Sequence, residues 1–419
     1  MIGLADCNNF FVSCERVFRP DLTKRPVIVL SNNDGCAVAL SPEAKNLGFR
    51  RGDSYFKIMQ HPAAETITVF SGNHRLYGDM SSRVMSTLRS LVGKVDVYSI
   101  DEAFLEFDSS ITDFADFAVY TVAKVRHDTG IPVSIGIAPT KTLAKIASRF
   151  AKKFKGYGGA CVIDTPAKTQ KALELTDIED VWGIGRRLTK RLRQYGINTA
   201  LDLAVLPEKS AETIFNVTGM RTWRELNGCP CISIDMMSPQ RKTITSSRSF
   251  ATETGDITRL RQALAGFATI AARKLRENSI YALEVETFIA TNRFHQYAPQ
   301  YFNSAAVTLI EPTDSTSDIL KAADTALKRI YRPEFRYKKA GITITRIASA
   351  LQPTLFTDLN KMSRMGRLMR AVDAINRSCH TPDTVRIASM GNGFEDMTNH
   401  RYLSRLYTTR ISDIITVHA

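Results

Sequence analysis

The sequence predicts an α+β protein that is built from several domains. Its 419 residues exceed what one ordinary hydrophobic core can hold, which indicates more than one folding unit. Hydrophobic residues make up 44% and charged residues 23% of the chain, and this balance is typical of folded globular proteins. The pattern of apolar strands and helices changes twice along the chain, and these changes divide it into regions.

The first region, residues 1–165, mixes short apolar strands with helices and ends in a last strand at 160–163. Residues 166–235 read as short helices separated by glycines, followed by a polar linker at 238–242. The third region predicts the order β-α-β-β-α-β, a ferredoxin-like unit. Its helices are expected at 256–277 and 317–331, and its strands at 244–250, 281–290, 304–310 and 336–344.

The tail from residue 350 contains one amphipathic helix, which either docks on the body of the protein or binds a partner. The sequence does not decide between these alternatives. Its apolar residues fall on one side of the helix, with arginines around them. They are Met362, Met365, Leu368, Val372 and Ile375.

The charge of the chain favours a polyanionic partner. Lys and Arg number 56 against 42 Asp and Glu, for a net charge of +14, and nucleic acid is the commonest polyanion. A ribosome-associated or membrane-surface protein would share this charge, so the motifs must decide. No leader and no apolar run of about 18 residues is present, which predicts a cytoplasmic protein without a membrane span. Seven cysteines without metal-site spacing predict free thiols.

Three acidic residues are the candidate catalytic groups. Asp6 follows a short apolar strand, and Asp101 and Glu102 interrupt an apolar stretch at 95–107 that reads as a hairpin. Such a pair at a turn is usually only solvated, but two neighbouring strands can bring all three acids to one side of a sheet. Charges about 4 Å apart repel by roughly 4 kcal/mol, so the cluster requires cations. Oxygen ligands favour Mg²⁺.

Basic residues at helical spacing follow these acids in the sequence. They lie on one helix face opposite an apolar face formed by Leu143, Ile146 and Phe150. A solvated surface is the plain interpretation, whereas beside a metal-binding cluster such a face would suit a triphosphate. The basic residues are Lys141, Lys145, Arg149 and Lys152.

The most specific local motif is a Gly-x-Gly bend, formed by Gly183 and Gly185, that separates a short helix from a basic helix ending at Gly196. Glycines allow the backbone to approach a phosphate, and the helix start offers amides and the positive end of a dipole. The motif resembles a helix-hairpin-helix element, which grips the DNA backbone without reading bases. A plain helical turn is the alternative. The predicted DNA contacts are Gly183, Gly185, Arg186, Arg187, Lys190 and Arg191.

Four motifs together resemble the Y-family translesion DNA polymerases in their order and distances. They are the segments 6–11 (Asp-Cys-Asn-Asn-Phe-Phe), 98–104 (Tyr-Ser-Ile-Asp-Glu-Ala-Phe), 140–145 (Thr-Lys-Thr-Leu-Ala-Lys) and 182–185 (Trp-Gly-Ile-Gly). The resemblance implies a right-hand polymerase: palm and fingers at 1–165 (fingers about 20–75), helical thumb at 166–235, little finger at 236–348 and C-terminal tail at 349–419. It also implies error-prone, template-directed DNA synthesis in DNA damage tolerance and SOS mutagenesis.

The same resemblance assigns roles to single residues. Asp6, Asp101 and Glu102, with the backbone carbonyl of Cys7, would hold two Mg²⁺ ions. Phe11 occupies the sugar-gate position, and Lys45 and Lys152 correspond to contacts with the triphosphate. A core aromatic beside Phe10 is the alternative for Phe11, although Phe10 and Phe11, read as adjacent strand residues, would face opposite ways. The segment 41–45 (Ser-Pro-Glu-Ala-Lys) departs from the family pattern, because Pro42 stands where an aromatic residue is usual and Lys45 where arginine is usual.

The resemblance implies several partners: primer-template DNA, deoxynucleoside triphosphates, a UmuD′-like dimer, RecA and the sliding clamp. The segment 352–356 (Gln-Pro-Thr-Leu-Phe) is similar to a clamp-binding peptide, with Gln352 at the pocket mouth and Leu355 and Phe356 as apolar anchors. A linker whose apolar residues pack on the little finger is the alternative.

Two other classes of protein fit parts of the sequence. A non-catalytic DNA-binding scaffold would not need to retain three clustered acids. A helix-hairpin-helix glycosylase would need a base-flipping pocket and would leave Asp6, Asp101 and Glu102 unexplained.

Overall fold

The computed structural model describes residues 1–107, 111, 113–233, 242–295, 297–351, 358–379, 384–391 and 400–415. The chain divides into two units. The first holds Met1–Ser238 together with Arg401–Ala419, and the second holds Pro239–His400. The α+β, multidomain class predicted from the sequence is confirmed.

Strands and helices alternate through the first 165 residues, as the apolar pattern predicted. The elements are β1 (Ile2–Cys7), α1 (Phe10–Phe18), β2 (Val27–Leu30), β3 (Ala37–Leu40), α2 (Pro42–Asn46), α3 (Tyr55–Met59), β4 (Thr68–Ser71), α4 (His74–Leu91), β5 (Lys94–Val97), β6 (Glu102–Glu106), α5 (Phe114–Thr129), β7 (Val133–Ala138), α6 (Lys141–Lys153) and β8 (Ala160–Val162).

These strands form two sheets. The larger sheet has the order β5-β6-β1-β7-β8, with β1 at its centre and antiparallel to both β6 and β7. The smaller sheet has the order β3-β2-β4 and lies within the region predicted as fingers. Strands β5 and β6 pair antiparallel, which confirms the predicted hairpin around Asp101.

The two faces of the larger sheet bury different helices. Alternate residues of a strand point to opposite faces. Ala5 and Ala103 share a core with α1, α4 and α5, whereas Leu4 and Phe104 share a core with α6. Asp6 and Glu102 follow the second pattern, so both carboxylates lie on the face that α6 covers.

Gly136 of β7 allows α6 to pack directly against this face. A Cβ atom at this position would lie 2.0 Å from the backbone nitrogen of Ser148 and 2.4 Å from the carbonyl oxygen of Ala144. Only glycine permits this approach. The close packing brings the basic side of α6 within reach of the carboxylates.

Five short helices follow in the region predicted as a thumb: α7 (Pro166–Glu174), α8 (Arg186–Gln194), α9 (Ala200–Ala204), α10 (Glu208–Ile214) and α11 (Val217–Leu226). Their apolar residues join the core that covers α6, including Leu192, Leu203 and Leu226. The predicted boundary at residue 165 therefore does not separate two cores, because the helical region completes the α6 side of the sheet.

The second unit has the predicted order β-α-β-β-α-β. It consists of β9 (Ile244–Thr254), α12 (Ile257–Glu277), β10 (Tyr281–Ala290), β11 (Phe302–Thr313), α13 (Thr316–Ile330) and β12 (Tyr337–Ala348). Its antiparallel sheet has the order β11-β10-β12-β9. The last strand lies between the first and second strands, a place that the third strand takes in ferredoxin, so the unit is a variant of that arrangement.

Residues 349–419, predicted as one C-terminal tail, are divided between the two units. Helix α14 (Leu359–Ser378) packs in the second unit, where Asp373 accepts two hydrogen bonds of 2.6 and 2.8 Å from Arg276. Leu368 and Ile375, two residues of the predicted apolar stripe, are exposed. The helix docks on the body through Met369 and Asp373 instead. No helix in the described ranges has the length and apolarity needed to cross a membrane.

Candidate active site

Two of the predicted catalytic carboxylates lie directly opposite each other on neighbouring strands. Asp6 of β1 pairs in register with Glu102 of β6. Asp101 immediately precedes Glu102, and its carbonyl oxygen accepts a 2.8 Å hydrogen bond from the backbone N–H of Cys7. Ser99 donates to Asp101 Oδ1 at 2.6 Å and fixes the turn. The structure thus brings Asp6, Cys7, Asp101 and Glu102 together at one end of the paired strands.

Helix α6 supplies a cation to each of four acids. Lys152 forms an ion pair with Asp6, and Lys145 Nζ lies 3.1 Å from Glu102 Oε1. Lys141 pairs with Asp96 at 3.1 Å, and Arg149 pairs with Asp180. The basic face is therefore more than a solvated surface, because each of its four cations pairs with a carboxylate.

The pKa of Asp6 reflects this crowded environment. Burial raises the pKa of Asp6 above its usual value, the positive charge of Lys152 lowers it, and the charges of Glu102 and Asp101 raise it again. Removal from water disfavours the charged form of a carboxyl group, and neighbouring negative charges do the same. A cation placed among these three acids would offset both effects.

The donor set fits a hard divalent cation, although the three carboxylates do not converge on one point. Within the described ranges, no three His, Cys, Asp or Glu side chains form a group that could hold a metal ion. Asp6 and Glu102 instead direct oxygens towards Lys152 and Lys145. The thiol of Cys7 is buried in the core, which leaves only its backbone carbonyl as a possible ligand. All the candidate ligands are oxygen atoms, which Mg²⁺ prefers.

Phe11 is the second residue of helix α1 and packs against α4. Its ring stacks on Tyr77 with centroids 4.4 Å apart and an interplanar angle of 15°. The ring of His74 stands on edge to Phe11 at 6.0 Å. Phe10 is buried in the core. The sequence analysis treated Phe10 and Phe11 as strand residues that face opposite ways. This was wrong, because strand β1 ends at Cys7. Asn9 then adopts a left-handed conformation, with φ of 46°, and the chain continues as helix α1.

Lys45 of α2 and Lys152 of α6 contribute to one cationic region. Lys45 Nζ donates to Asn9 Oδ1 at 2.7 Å, just before the start of α1. Burial lowers the pKa of Lys45, and the charges of Arg51 and Lys152 lower it further. Three cations are therefore close enough to interact. Arg51 was not predicted, because a lone arginine after a turn carries no motif.

Pro42 occupies the first position of α2, directly after the capping residue Ser41. This place suits proline because its missing N–H has no partner in the first helical turn. Glu43 forms a 2.8 Å ion pair with Arg16 of α1. The departure from the family pattern thus provides a helix start, and the charge at Lys45 remains available.

The predicted DNA-binding bend has the expected backbone. Gly183 adopts φ of +91°, a conformation that glycine accepts readily, and Gly185 is the N-cap of α8. The predicted short helix before the bend is only a three-residue turn, Ile178–Asp180. The four basic residues form no ion pair with any described residue, in contrast to Arg193, which binds Asp177 at 2.9 Å. They are Arg186, Arg187, Lys190 and Arg191, all exposed.

Glu225 is a structural residue of the site that the sequence analysis missed. Its buried carboxylate accepts 2.8 Å hydrogen bonds from the backbone N–H and the hydroxyl of Thr142, in the first turn of α6. The other oxygen accepts hydrogen bonds from the amides of Cys231 and Ile232. Glu225 therefore ties the helical region to the start of the helix that carries Lys145 and Lys152. No local pattern could have indicated this, because the partners are 83 positions apart.

The predicted clamp-binding residues Gln352, Leu355 and Phe356 lie outside the described residues.

Three family models match the chain. Residues 5–149 match the impB/mucB/samB family, and residues 241–355 match the C-terminal domain of the same family. Residues 366–417 match a domain of unknown function, DUF4113. The first two matches cover the three candidate catalytic carboxylates and the sheet of the second unit.

Curated relatives match over nearly the whole length. UmuC of Salmonella typhimurium is 41% identical over all of both chains. SamB of the same species is 40% identical over 99% of each chain, and MucB of Escherichia coli is 37% identical over 90% of each. These relatives confirm the resemblance drawn from the motifs.

Solved structures share the fold. A Y-family DNA polymerase chimera of Dbh and Dpo4 superposes with a TM-score of 0.67 at 22% identity, over 82% of this chain and 98% of the other. A post-insertion binary complex of Dbh DNA polymerase gives a TM-score of 0.55 at 22% identity, over the same shares of the two chains.

Proposed function

The chain belongs to the impB/mucB/samB family of Y-family polymerases and is a UmuC-like, DNA-directed translesion DNA polymerase, and from this premise we propose that it is the catalytic subunit of an error-prone enzyme of SOS mutagenesis. We propose further that it joins nucleotides by two-metal chemistry. The observation that carries the proposal is the opposed pair Asp6 and Glu102, with Asp101 beside it, on a sheet face covered by a basic helix.

The carboxylates would hold the reacting groups at the end of the paired strands. Asp6, Asp101, Glu102 and the carbonyl of Cys7 are the proposed ligands for two Mg²⁺ ions. When bound, such ions activate the primer 3′-hydroxyl and stabilise charge on the triphosphate. Lys152, which pairs with Asp6 here, is proposed to contact a phosphate oxygen of the bound triphosphate.

The triphosphate site is proposed at the start of α1. Asn9 makes no side-chain cap, so the first amides of this nine-residue helix are available to an anion. Lys45, Arg51 and Lys152 add positive charge at the same place. The ring of Phe11, fixed by Tyr77, would then lie against the sugar and exclude a 2′-hydroxyl.

The bend at Gly183 and Gly185 is proposed to grip the DNA backbone. The amides at the start of α8 and four basic side chains that pair with no described residue would make a site for backbone phosphates. We expect primer-template DNA and deoxynucleoside triphosphates as substrates, and the cytoplasm as the place of action. A UmuD′-like dimer, RecA and the sliding clamp remain proposed partners.

Primer extension tests the catalytic proposal. We expect Asp101→Asn to abolish nucleotide addition and to leave primer-template affinity within a few-fold, because the change removes a ligand and leaves the phosphate grip intact. Asp96→Asn is a matched control on the adjacent strand, since Asp96 pairs with Lys141 and is not a proposed ligand. Activity in Asp101→Asn, or parallel loss of binding and activity, would contradict the assignment.

A further inference from the structure

Glu15 is a buried carboxyl group that the proposed chemistry does not use. It lies on α1, one helical turn after Phe11, and its side chain has no exposed surface. Its Oε1 accepts hydrogen bonds from the hydroxyl of Tyr77 at 2.7 Å and from that of Ser404 at 3.0 Å. Its Oε2 has no hydrogen-bond partner among the described residues. Burying such a group is unfavourable, so simple packing does not explain its presence.

Glu15 fixes the ring that supports Phe11. The Tyr77 ring is fully buried and stacks on Phe11. Its hydroxyl donates a hydrogen bond to Glu15, which holds the far end of the ring in place. His74, on the same helix, stands on edge to both rings at 6.0 and 6.1 Å. The position of Phe11 is therefore set by the first two turns of α4.

Residues 401–407, named here the C-terminal strap, hold the start of α4. Asn73 caps α4 by accepting a 3.2 Å hydrogen bond from the N–H of Leu76. The amide of the same side chain donates to Ser404 Oγ at 3.0 Å and to the carbonyl of Arg405 at 3.3 Å. Ser404 Oγ thus accepts from Asn73 and donates to Glu15. One hydroxyl therefore connects the residue that caps α4 with the carboxylate that binds Tyr77, and both support the aromatic cluster of Phe11, His74 and Tyr77.

Other contacts attach the strap to three elements around this cluster. Tyr402 exchanges two 3.0 Å hydrogen bonds with Ser71 at the end of edge strand β4. Its hydroxyl lies 2.6 Å from that of Tyr55 on α3. The ring of Tyr407 stacks on Phe18 of α1 at 4.7 Å and 6°. The strap is therefore held firmly enough to position the residues that it touches.

We propose that the C-terminal strap is a positioning element of the nucleotide site, in which Ser404 acts through Glu15 and Tyr77 to hold the ring of Phe11 against the sugar and so sharpens the rejection of ribonucleotides. The proposal rests on the sugar-gate role of Phe11 given under the proposed function. Ser404, Glu15 and Tyr77 touch no substrate and are positioning residues. It gives a role to part of a segment that matches a domain of unknown function.

The test measures single-turnover incorporation of a deoxyribonucleotide and of the matching ribonucleotide by the full chain on primer-template DNA. Ser404→Ala removes the shared hydroxyl, and we expect the ratio of the two kcat/KM values to fall about tenfold, since small misplacements of positioned groups have effects of this size or larger. Ser404→Thr keeps a hydroxyl and should restore most of the ratio. Tyr77→Phe keeps the stacked ring, removes the bond to Glu15 and should lower the ratio as much as Ser404→Ala.

The double variant Ser404→Ala with Tyr77→Phe tests whether Ser404 acts on Phe11 through Glu15 and Tyr77, a route called here the relay, or whether the two substitutions act independently. A single route predicts that the double variant loses no more discrimination than either single variant, whereas independent effects would multiply. Tyr402→Phe is the matched control, because it loosens the strap at Tyr55 and leaves Ser404 in place. An equal loss in Tyr402→Phe would show general loosening and overturn the relay.

Phe11→Ala is measured in parallel. If Phe11→Ala abolishes discrimination while Ser404→Ala and Tyr77→Phe keep the parent ratio, the positioning role of the strap is wrong and the sugar gate stands. If Phe11→Ala itself keeps the parent ratio, the gate assignment is wrong and the inference fails with it.

Discussion

The carboxyl group of Glu15 makes the stability of the first unit depend on pH. Burial raises the pKa of Glu15 from its ordinary 4.5 to about 7, although the hydrogen bonds from Tyr77 and Ser404 act in the opposite direction. The folded state therefore holds this proton more tightly than the unfolded chain. Its stabilising effect is complete below the unfolded pKa and is lost as the pH rises through about 7.

The structure sets the size of the effect. The difference between 4.5 and about 7, at about 1.4 kcal/mol per pKa unit, corresponds to a loss of about 3 kcal/mol. We expect most of this loss between pH 5 and pH 7 and little change above pH 8. Glu15→Gln has no proton to lose, so its free energy of unfolding should not show this component.

Urea unfolding followed by tryptophan fluorescence measures the effect in the full chain. Both tryptophans of the chain, Trp182 and Trp223, lie in the first unit, so the signal reports that unit alone. The free energy of unfolding of the parent, minus that of Glu15→Gln, should fall by about 2.5 kcal/mol from pH 5 to pH 8, because part of the loss already lies below pH 5. The exposed substitution Glu65→Gln controls for the loss of one surface charge. A parent-minus-Gln difference that is constant over this range would refute the reasoning.

Three further predictions concern the substrates and partners. Phe11→Ala should admit ribonucleotides, since the ring would occupy the place of the 2′-hydroxyl; single-turnover discrimination unchanged from the parent would reject the gate. Combined alanine substitution of Arg186, Arg187, Lys190 and Arg191 should weaken binding to every DNA sequence alike and lower the slope of log K against log salt by roughly 3 to 4. Arg193→Ala, which removes an arginine already paired with Asp177, should change that slope less, and losses confined to particular templates would argue for base reading. Replacing Leu355 and Phe356 with alanine should abolish clamp-stimulated synthesis and leave clamp-free extension intact, and equal stimulation of variant and parent would make the motif match accidental.

The elements that periodicity and local chemistry control could be predicted from the sequence. The hairpin before Glu102, helix α6 and the β-α-β-β-α-β order all depend on patterns within a few residues of each other. Period-two alternation also explains why Asp6 and Glu102 share a face once their strands are neighbours. From these patterns the fold class and the three candidate catalytic carboxylates could be predicted.

What could not be predicted depends on partners distant in the sequence. Nothing near Glu225 indicates that it will cap α6, and nothing near Glu15 indicates Ser404. The start of α1 was wrongly assigned to a strand because Asn9, in a left-handed conformation, reverses the chain at a point where the apolar pattern continues. The division of the tail had the same cause, since the strap joins the first unit through residues distant in the sequence, such as Ser71, Asn73 and Phe18.

The hydrogen bond between Ser404 and Glu15 joins residues 389 positions apart and has a consequence for biosynthesis. At roughly 5–20 residues per second, a ribosome delivers Ser404 about 20 to 80 seconds after Glu15. Through most of that interval the nascent chain already contains Asp6, Asp101, Glu102 and Tyr77, whereas the Ser404 hydroxyl that binds Glu15 is still missing. On the proposed role of the strap, full sugar selectivity is the last property that a newly translated molecule acquires, and a product that stops before residue 401 retains only the weaker discrimination of an unsupported Phe11.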